Sequence, residues 1–240
     1  FGPLTALLAA FVAGMLVGVV TGLLHTKMKI PALLAGILTM IALYSVNLRI
    51  MGKANLSLLG VDTTFKIAKS ALDLSMAQTT LVVGLAVTLI VGFFMYWFFG
   101  TQIGAAIRAT GFNQQMIRAQ GVDTDITIIL GLLLSNGLVA VSGALVAQSN
   151  GFSDVGMGTG TIVIGLASVI IGEVLFGTRS FKNCLISVVL GSIVYRIVIA
   201  AVLAIGMPPN DLKLFTSVLV ALALSMPLIK AKMGGRKAVR

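Results

Sequence analysis

Residues 80–99 read Thr80-Leu-Val-Val-Gly-Leu-Ala-Val-Thr-Leu-Ile-Val-Gly-Phe-Phe-Met-Tyr-Trp-Phe-Phe99, without one charged side chain. A helix needs about 20 apolar residues to cross the ~30 Å hydrocarbon core of a bilayer. A strand of a membrane barrel instead alternates in polarity over about ten residues. The stretch therefore predicts a membrane-spanning helix. Comparable runs predict six further spans, at 4–24, 32–50, 126–147, 161–177, 184–205 and 213–229.

The composition agrees with an all-α polytopic membrane protein of about seven transmembrane helices, some of them short or broken. The chain is 58% hydrophobic and 10% charged, with a mean hydropathy of +1.08, whereas a soluble domain carries about 25% charged residues. Its net charge of +10 lies mostly between apolar runs, which is typical of loops beside anionic lipid and argues against nucleic-acid binding. Since Cys184 is the single cysteine, we expect no disulfide, no metal site and no bound cofactor.

Lys and Arg accumulate in cytoplasmic loops and therefore predict orientation. If seven spans alternate and the C-terminus is inside, eleven of the seventeen Lys and Arg residues lie inside and five outside, with Arg196 within a span. The basic tail at 230–240 belongs to the inner set. Residue 1 then lies outside, so we expect a parent protein with at least one further N-terminal span.

Two outer segments interrupt the helical pattern. In the loop at 51–79, the spacing of Phe65, Ile67, Ala68, Ala71 and Leu72 predicts a short amphipathic helix on the surface, as a lid or a docking surface. The segment 149–161 contains four glycines, which make a helix hard to sustain. We interpret it as broken backbone beside a transport pathway, and a plain outer loop is the alternative.

The inner segment 100–125 predicts two short helices separated by glycines at Gly111 and Gly121. Asn113 is a candidate N-cap for the second helix. Asp123 and Asp125 then lie where the N-terminus of the next span favours negative charge. Such a pair of amphipathic helices with two arginines predicts a docking surface, and an ordinary loop between spans is the alternative.

The stretch Ala109-Thr-Gly-Phe-Asn-Gln-Gln-Met-Ile-Arg-Ala-Gln-Gly-Val122 resembles the cytoplasmic segment of permeases in the branched-chain amino acid and ribose family of ATP-binding-cassette (ABC) importers. The glycine-rich entry and apolar stretch at 157–177 are also similar to that family. Where the family has its second glycine this chain has Glu173, a departure that resembles a subgroup for amino acid uptake, including tryptophan-type systems. The likeness covers most of 30–230.

The resemblance implies a single permease domain over 1–240 in the cytoplasmic membrane of a bacterium, with a further N-terminal helix in family members. It implies a second permease subunit, with a homodimer expected, a cytoplasmic ABC ATPase that uses ATP, and an extracytoplasmic solute-binding protein. The substrate would be a small polar solute, with an amino acid favoured. It also implies that 100–125 couples to the ATPase, through Arg108, Gly111, Phe112, Asn113, Met116, Arg118 and Gly121.

Polar and glycine positions in the apolar runs are candidates for the pathway: Asn136, Gly158, Gly160, Ser168, Glu173 and Arg196. Ionisable side chains within spans tend to face the protein interior. Glu173 and Arg196 either line the pathway or form a structural ion pair, or Glu173 reaches interfacial water. Asn136 lines the route or bonds a neighbouring helix. Glycines at 14, 18 and 22 form a stripe that allows close helix packing, which we expect inside the subunit.

Other functions fit the residues less well. The chain lacks the G-x-x-x-x-G-K-[ST] phosphate loop, so ATP hydrolysis by this chain is not expected. An ion-coupled secondary transporter is the alternative, and it would need ion-coordinating groups near the midplane, where Glu173 is the single candidate carboxylate. An intramembrane enzyme would need a set of catalytic side chains, and one histidine, one cysteine and a single embedded acid do not form a recognisable set.

Overall fold

A computed structural model describes residues 2–158, 161–178 and 180–206 and seven single positions between 211 and 225. It divides into two compact units, at 1–158 and 159–240. Each unit is described by itself below. The last predicted span at 213–229, the tail at 230–240 and Gly160 lie largely or wholly outside the described residues.

Unit 1 contains seven helices and two short strands within its described residues. In chain order they are α1 (Pro3–Thr26), α2 (Ala32–Met51), β1 (Asn55–Ser57), α3 (Thr64–Leu72), α4 (Met76–Phe98), α5 (Gln102–Phe112), α6 (Gln114–Ala119), α7 (Thr124–Asn150) and β2 (Phe152–Asp154). Of these, α1, α2, α4 and α7 are long and apolar enough to cross a membrane.

Helix α1 packs against α7 through the glycine stripe that the sequence predicted. A methyl group at Gly14 would lie 2.5 Å from the carbonyl oxygen of Asn136, and one at Gly18 would lie 2.5 Å from that of Leu132. Gly22 faces Ile129 in the same way. Successive glycines along α1 contact residues that come progressively earlier in α7, so the two helices are antiparallel. The prediction that the stripe packs inside the subunit is confirmed.

Helix α2 returns beside α1 after a five-residue turn between Thr26 and Ala32. The hydroxyl of Thr21 donates to that of Thr39 at 3.0 Å, which joins the two helices between their buried faces. Unit 1 has two ends. The α5–α6 end contains the α1–α2 turn, α5, α6 and the start of α7, and the opposite strand end contains β1, α3 and β2.

The strand end joins the two segments predicted as outer, 51–79 and 149–161. Strands β1 and β2 pair antiparallel, with Asn55 opposite Asp154. The predicted amphipathic helix in 51–79 is confirmed as α3, which is capped by Thr63 and buries Phe65. Its first amide, at Thr64, donates to the side-chain oxygen of Gln148 on α7 at 2.9 Å. Long-range pairing therefore holds the outer segments on α7.

Helix α4 starts with a capping box, in which Ser75 and Gln78 each bond the other's backbone amide. It exposes a continuous apolar surface, and Leu89, Ile90, Phe93, Phe94 and Trp97 line a shallow groove on it. Apolar side chains exposed along a whole helix are the pattern of a segment that faces lipid or another membrane helix.

Unit 2 is described as two helices, α8 (Thr161–Phe176) and α9 (Phe181–Ala204). They cross at small residues, where Gly172 lies against Ser187 and Gly191 lies against the carbonyl of Ser168. Helix α9 is long enough to span a membrane, whereas α8 has 16 residues and a length of about 24 Å. Five of the seven predicted spans therefore meet the length needed, and the run at 161–177 forms a shorter apolar helix.

Candidate functional site

The candidate site is the helix pair α5–α6, which the sequence predicted as a docking surface. Helix α5 begins where the chain turns sharply out of α4. The hydroxyl of Thr101 accepts from the amide of Gly104 at 3.3 Å and donates to the carbonyl of Phe98 at 2.6 Å. Gly104 packs directly on the backbone of Phe98 and Phe99, where no larger side chain fits. The turn therefore sets the direction in which α5 leaves α4.

The bend between the two helices lies at Asn113, and the prediction that Gly111 separates them is wrong. Helix α5 continues through Gly111 to Phe112, and Asn113 has an extended backbone with φ −156°. Its side-chain oxygen accepts from the amide of Met116 at 3.0 Å, which confirms Asn113 as the N-cap of α6. A glycine inside a helix costs only about 1 kcal/mol, so a capping side chain two residues later decides the boundary.

Helix α6 ends where the sequence predicted. Gly121 has φ +84°, a conformation that glycine adopts without steric cost. The amide of Gly121 donates to the carbonyl of Arg118 at 3.0 Å, and that of Val122 to Ile117 at 3.3 Å. The chain then enters α7, whose first turn is capped by Asp123 through the amide of Asp125 at 2.8 Å.

A buried contact joins α5 to α7, and α6 has one buried apolar side chain. The hydroxyls of Thr110 on α5 and Thr127 on α7 are 2.9 Å apart, and both side chains are buried. Ile117 is the buried apolar residue of α6. Each hydroxyl also donates to a carbonyl of its own helix, Thr110 to Ala106 at 2.8 Å and Thr127 to Thr124 at 3.0 Å, so the pair is a close buried contact of α5 with α7.

An ionic cluster lies beside these contacts. The carboxylate of Asp125 is 3.5 Å from the ammonium of Lys27 and 3.4 Å from the guanidinium of Arg118. Arg118 also donates through Nε to the hydroxyl of Thr124 at 2.6 Å. Lys27 follows the last residue of α1, so the cluster joins α1, α6 and α7.

The outer surface of the pair exposes three apolar side chains among polar ones. Phe112 is 91% exposed, and Met116 and Ile103 are also exposed. Gly111, Asn113 and Gly121 are exposed, and Arg108 is half-buried on α5. The seven predicted coupling residues therefore lie together on one helix pair. Arg118 has a structural contact as well as an exposed side, so its substitution would test two effects at once.

Two of the candidate pathway residues, Asn136 and Gly158, lie in the described part of unit 1. Asn136 is half-buried in α7, and its side-chain amide donates to the carbonyl of Leu132 at 2.9 Å. This bond lies within its own helix and does not reach a neighbouring one, and the alternative that Asn136 lines the route stays a prediction. Gly158 is exposed in the turn after β2. The predicted loss of helix after residue 150 is confirmed up to that glycine.

In unit 2, one of the alternatives for Glu173 and Arg196, an ion pair between them, is not found among the described residues, and their lining of the pathway stays a prediction. The contacts of Ser168 with Gly191 and of Gly172 with Ser187 set the antiparallel register of α8 and α9. In that register the two side chains lie about ten residues apart along the hairpin, or roughly 15 Å. No ion pair joins them within the described part of the chain, and both are exposed. Ser168 is buried and bonds the carbonyl of Ile164.

Sequence reasoning missed three features of unit 1: the β1–β2 pairing, the Thr110–Thr127 contact and the Asp125 cluster. Asp125 had a local signal, its position in the first turn of a helix. Except for Arg118, which is seven residues from Asp125, the partners lie 17 or more residues apart along the chain, and no spacing rule in one sequence predicts them. Among the described residues, no group of three or more His, Cys, Asp and Glu is placed to hold a metal ion.

Comparisons with known proteins agree on one family. A family model described as "Branched-chain amino acid transport system / permease component" matches residues 1–225. A tyrosine transport system permease protein of Clostridioides difficile is 42% identical over 218 residues, covering 91% of this chain and 71% of that protein. An uncharacterized protein of Rickettsia prowazekii is 33% identical over 229 residues, covering 94% and 79%.

A more distant relative is an autoinducer 2 import system permease protein of Salmonella typhimurium. It is 27% identical over 170 residues, covering 70% of this chain and 47% of that protein. No solved structure matches the chain.

Proposed function

Because the chain belongs to the permease family of branched-chain amino acid transport systems, we propose that α5–α6 is the surface through which this ABC importer permease receives work from a separate ATPase subunit. The chain forms the translocation pathway, and the partner binds and hydrolyses ATP. The observation that carries the proposal is the anchored helix pair that leaves Phe112 almost fully exposed.

The anchoring and the exposure support the proposal together. A surface that passes on force must be held firmly on a spanning helix. The Thr110–Thr127 contact joins α5 to α7, and the bonds of Arg118 to Thr124 and Asp125 join α6 to α7. A surface that binds a partner exposes apolar side chains, as Phe112 and Met116 do. An ordinary loop between spans would need neither feature.

The proposal includes the sides of the membrane and the partners. The α5–α6 end faces the cytosol, and the strand end faces outward, where α3 and the β1–β2 pair receive a solute-binding protein. A second permease subunit, in a homodimer, completes the pathway. Family membership and the two-ended construction of unit 1 support these assignments.

The substrate class is an amino acid. The tyrosine transport permease shares 42% identity with this chain, and Glu173 departs from the general family pattern in the manner of amino acid systems. The more distant autoinducer 2 permease is 27% identical, which favours the amino acid over a sugar-like solute. An ion-coupled transporter has no comparable support among the described residues.

The test compares two equally exposed apolar side chains at opposite ends. Phe112→Ala removes an apolar anchor from the proposed interface, whereas Leu59→Ala changes a strand-end residue that is 86% exposed. Removing a central interface anchor typically costs more than 1 kcal/mol, so we expect roughly tenfold weaker binding of the co-expressed ATPase subunit to the first variant. Binding of the Leu59 variant should be unchanged.

The measurement is the amount of ATPase that copurifies with tagged permease, together with the dissociation constant in detergent. Monodisperse elution of both variants controls for folding. Equal ATPase binding by Phe112→Ala and the parent chain would show that the interface lies elsewhere.

A further inference from the structure

One carboxylate connects three helices at the α5–α6 end. The two oxygens of Asp125, on the first turn of α7, face the ammonium of Lys27 at 3.5 Å and the guanidinium of Arg118 at 3.4 Å. Lys27 follows α1, and Arg118 lies in α6. Each cation thus reaches α7 through a different oxygen of the same side chain.

Helix α6 depends on such contacts. It has six residues, and a helix that short is unstable in water on its own. Its described side-chain bonds to α7 run from Arg118 to Thr124 and Asp125, and Ile117 is its buried apolar side chain. Without the carboxylate of Asp125, Arg118 would keep its bond to the hydroxyl of Thr124, whereas Lys27 would lose its ion pair with α7.

The ion pairs are too exposed to determine the stability of the whole protein. The side chains of Lys27 and Arg118 are 65% and 57% exposed, against 20% for Asp125. Exposed ion pairs contribute little to folding because water screens them. Two pairs on one carboxylate nevertheless restrict where α6 lies on α7, and this geometric effect is the one that a coupling element needs.

We propose that Asp125 is a positioning residue that holds α6 and the end of α1 on the first turn of α7, so that movement of α5–α6 is passed to the spanning helices. The inference rests on the proposed role of α5–α6 as the ATPase-binding surface. Asp125 is on α7, behind the exposed face of α5–α6, and need not contact the ATPase subunit. Its loss should separate ATP hydrolysis from transport without preventing assembly.

The first experiment measures the position of α6 without any partner. In a Cys184→Ser background, spin labels at Gln115→Cys on α6 and Ser135→Cys on α7 report the distance between the helices in lipid nanodiscs. Asp125→Asn should broaden the distance distribution, whereas Asp125→Glu, which keeps a carboxylate, should give the distribution of the parent chain. Asp123→Asn is the matched control, because it removes the same charge from the same end while asparagine keeps the helix cap.

The second experiment measures function in proteoliposomes that contain the permease, the ATPase subunit from a neighbouring gene and the binding protein. Uptake of a radiolabelled mixture of the protein amino acids is divided by the ATP hydrolysed. We expect Asp125→Asn to bind the ATPase normally and to transport about fivefold less per ATP, a factor that corresponds to ~1 kcal/mol. Asp123→Asn and Asp125→Glu should keep the parent ratio.

The outcomes separate the two proposals. An unchanged distance distribution in Asp125→Asn, or an equal loss of transport in Asp123→Asn, would overturn the positioning role. Failure of the parent chain to bind an ATPase would instead contradict the proposed function, and the distance measurement would still decide whether Asp125 positions α6.

Discussion

At the scale of single residues, the contact of α1 with α7 depends on the absence of side chains. A methyl group at Gly18 would lie 2.5 Å from the carbonyl oxygen of Leu132 and 2.7 Å from the Cα of Leu133. Both neighbours are backbone atoms of a helix and cannot move aside singly. In a membrane, such close packing replaces the hydrophobic effect as the force between helices.

Gly18→Val should therefore separate α1 from α7. Overpacking a close contact typically costs 1–3 kcal/mol, so we expect a lower midpoint of thermal unfolding in detergent. Gly84→Ala on α4 is the matched control, since nothing lies within 4 Å of a methyl group there. Equal midpoints for Gly18→Val and the parent chain would contradict the packing.

Residue patterns also explain which site predictions succeeded. Asn113 and Gly121 were predicted as a helix cap and a helix end because both act locally, through a bond to the amide of Met116 and through a positive φ. Whether Glu173 pairs with Arg196 was not predictable, because it depends on the register of two helices. That register is decided by where Gly172 and Gly191 allow the backbones to meet.

At the scale of elements, α5 and α6 show that a cap outweighs a glycine. Gly111 continues α5, whereas Asn113 ends α5 and starts α6. The cap satisfies a backbone amide at the start of a short helix, which is where an unpaired amide would be most costly. The bend between α5 and α6 thus depends on one side chain.

Asn113→Ala should loosen α6, and Gly111→Ala should not. Loss of an N-cap costs about 1 kcal/mol, so we expect hydrogen exchange of the 114–119 amides to become about fivefold faster. Alanine at 111 meets open space and favours the helical conformation. Faster exchange in Gly111→Ala than in Asn113→Ala would place the bend back at the glycine. Asn113→Asp, which keeps a capping oxygen, serves as the control.

At the scale of the whole molecule, the charge argument for orientation depends on the C-terminal part of the chain. The two ends of unit 1 carry four Lys and Arg residues each, with Lys27, Lys29, Arg108 and Arg118 at one end and Arg49, Lys53, Lys66 and Lys69 at the other. The inward excess comes from positions after 178. The sidedness of α5–α6 therefore needs a direct measurement.

Cysteine labelling provides that measurement. In the Cys184→Ser background, Leu59→Cys marks the strand end and Gln115→Cys marks α6, and both positions are exposed. The 27 residues of α7 extend about 40 Å, so the two ends of unit 1 lie on opposite sides of a bilayer. We expect a membrane-impermeant maleimide to label position 59 in intact cells and position 115 only after permeabilisation. Labelling of position 115 in intact cells would reverse the orientation and remove the proposed ATPase site.

The sequence by itself determined the solvent, the helices and the family. Continuous apolar runs require a bilayer, and a bilayer requires backbone groups to bond within each segment. Capping residues and left-handed glycines then place several helix boundaries. These are local effects, and residues close in sequence suffice to produce them.

Only the tertiary structure decided which distant residues meet. The pairing of β1 with β2, the contact of Thr110 with Thr127 and the cluster around Asp125 each join segments separated along the chain. Many side chains offer the same bonding groups, so chemistry alone does not select the partners. The close approach of α1 to α7 at the glycine stripe sets the register, and the register brings Lys27 within reach of Asp125.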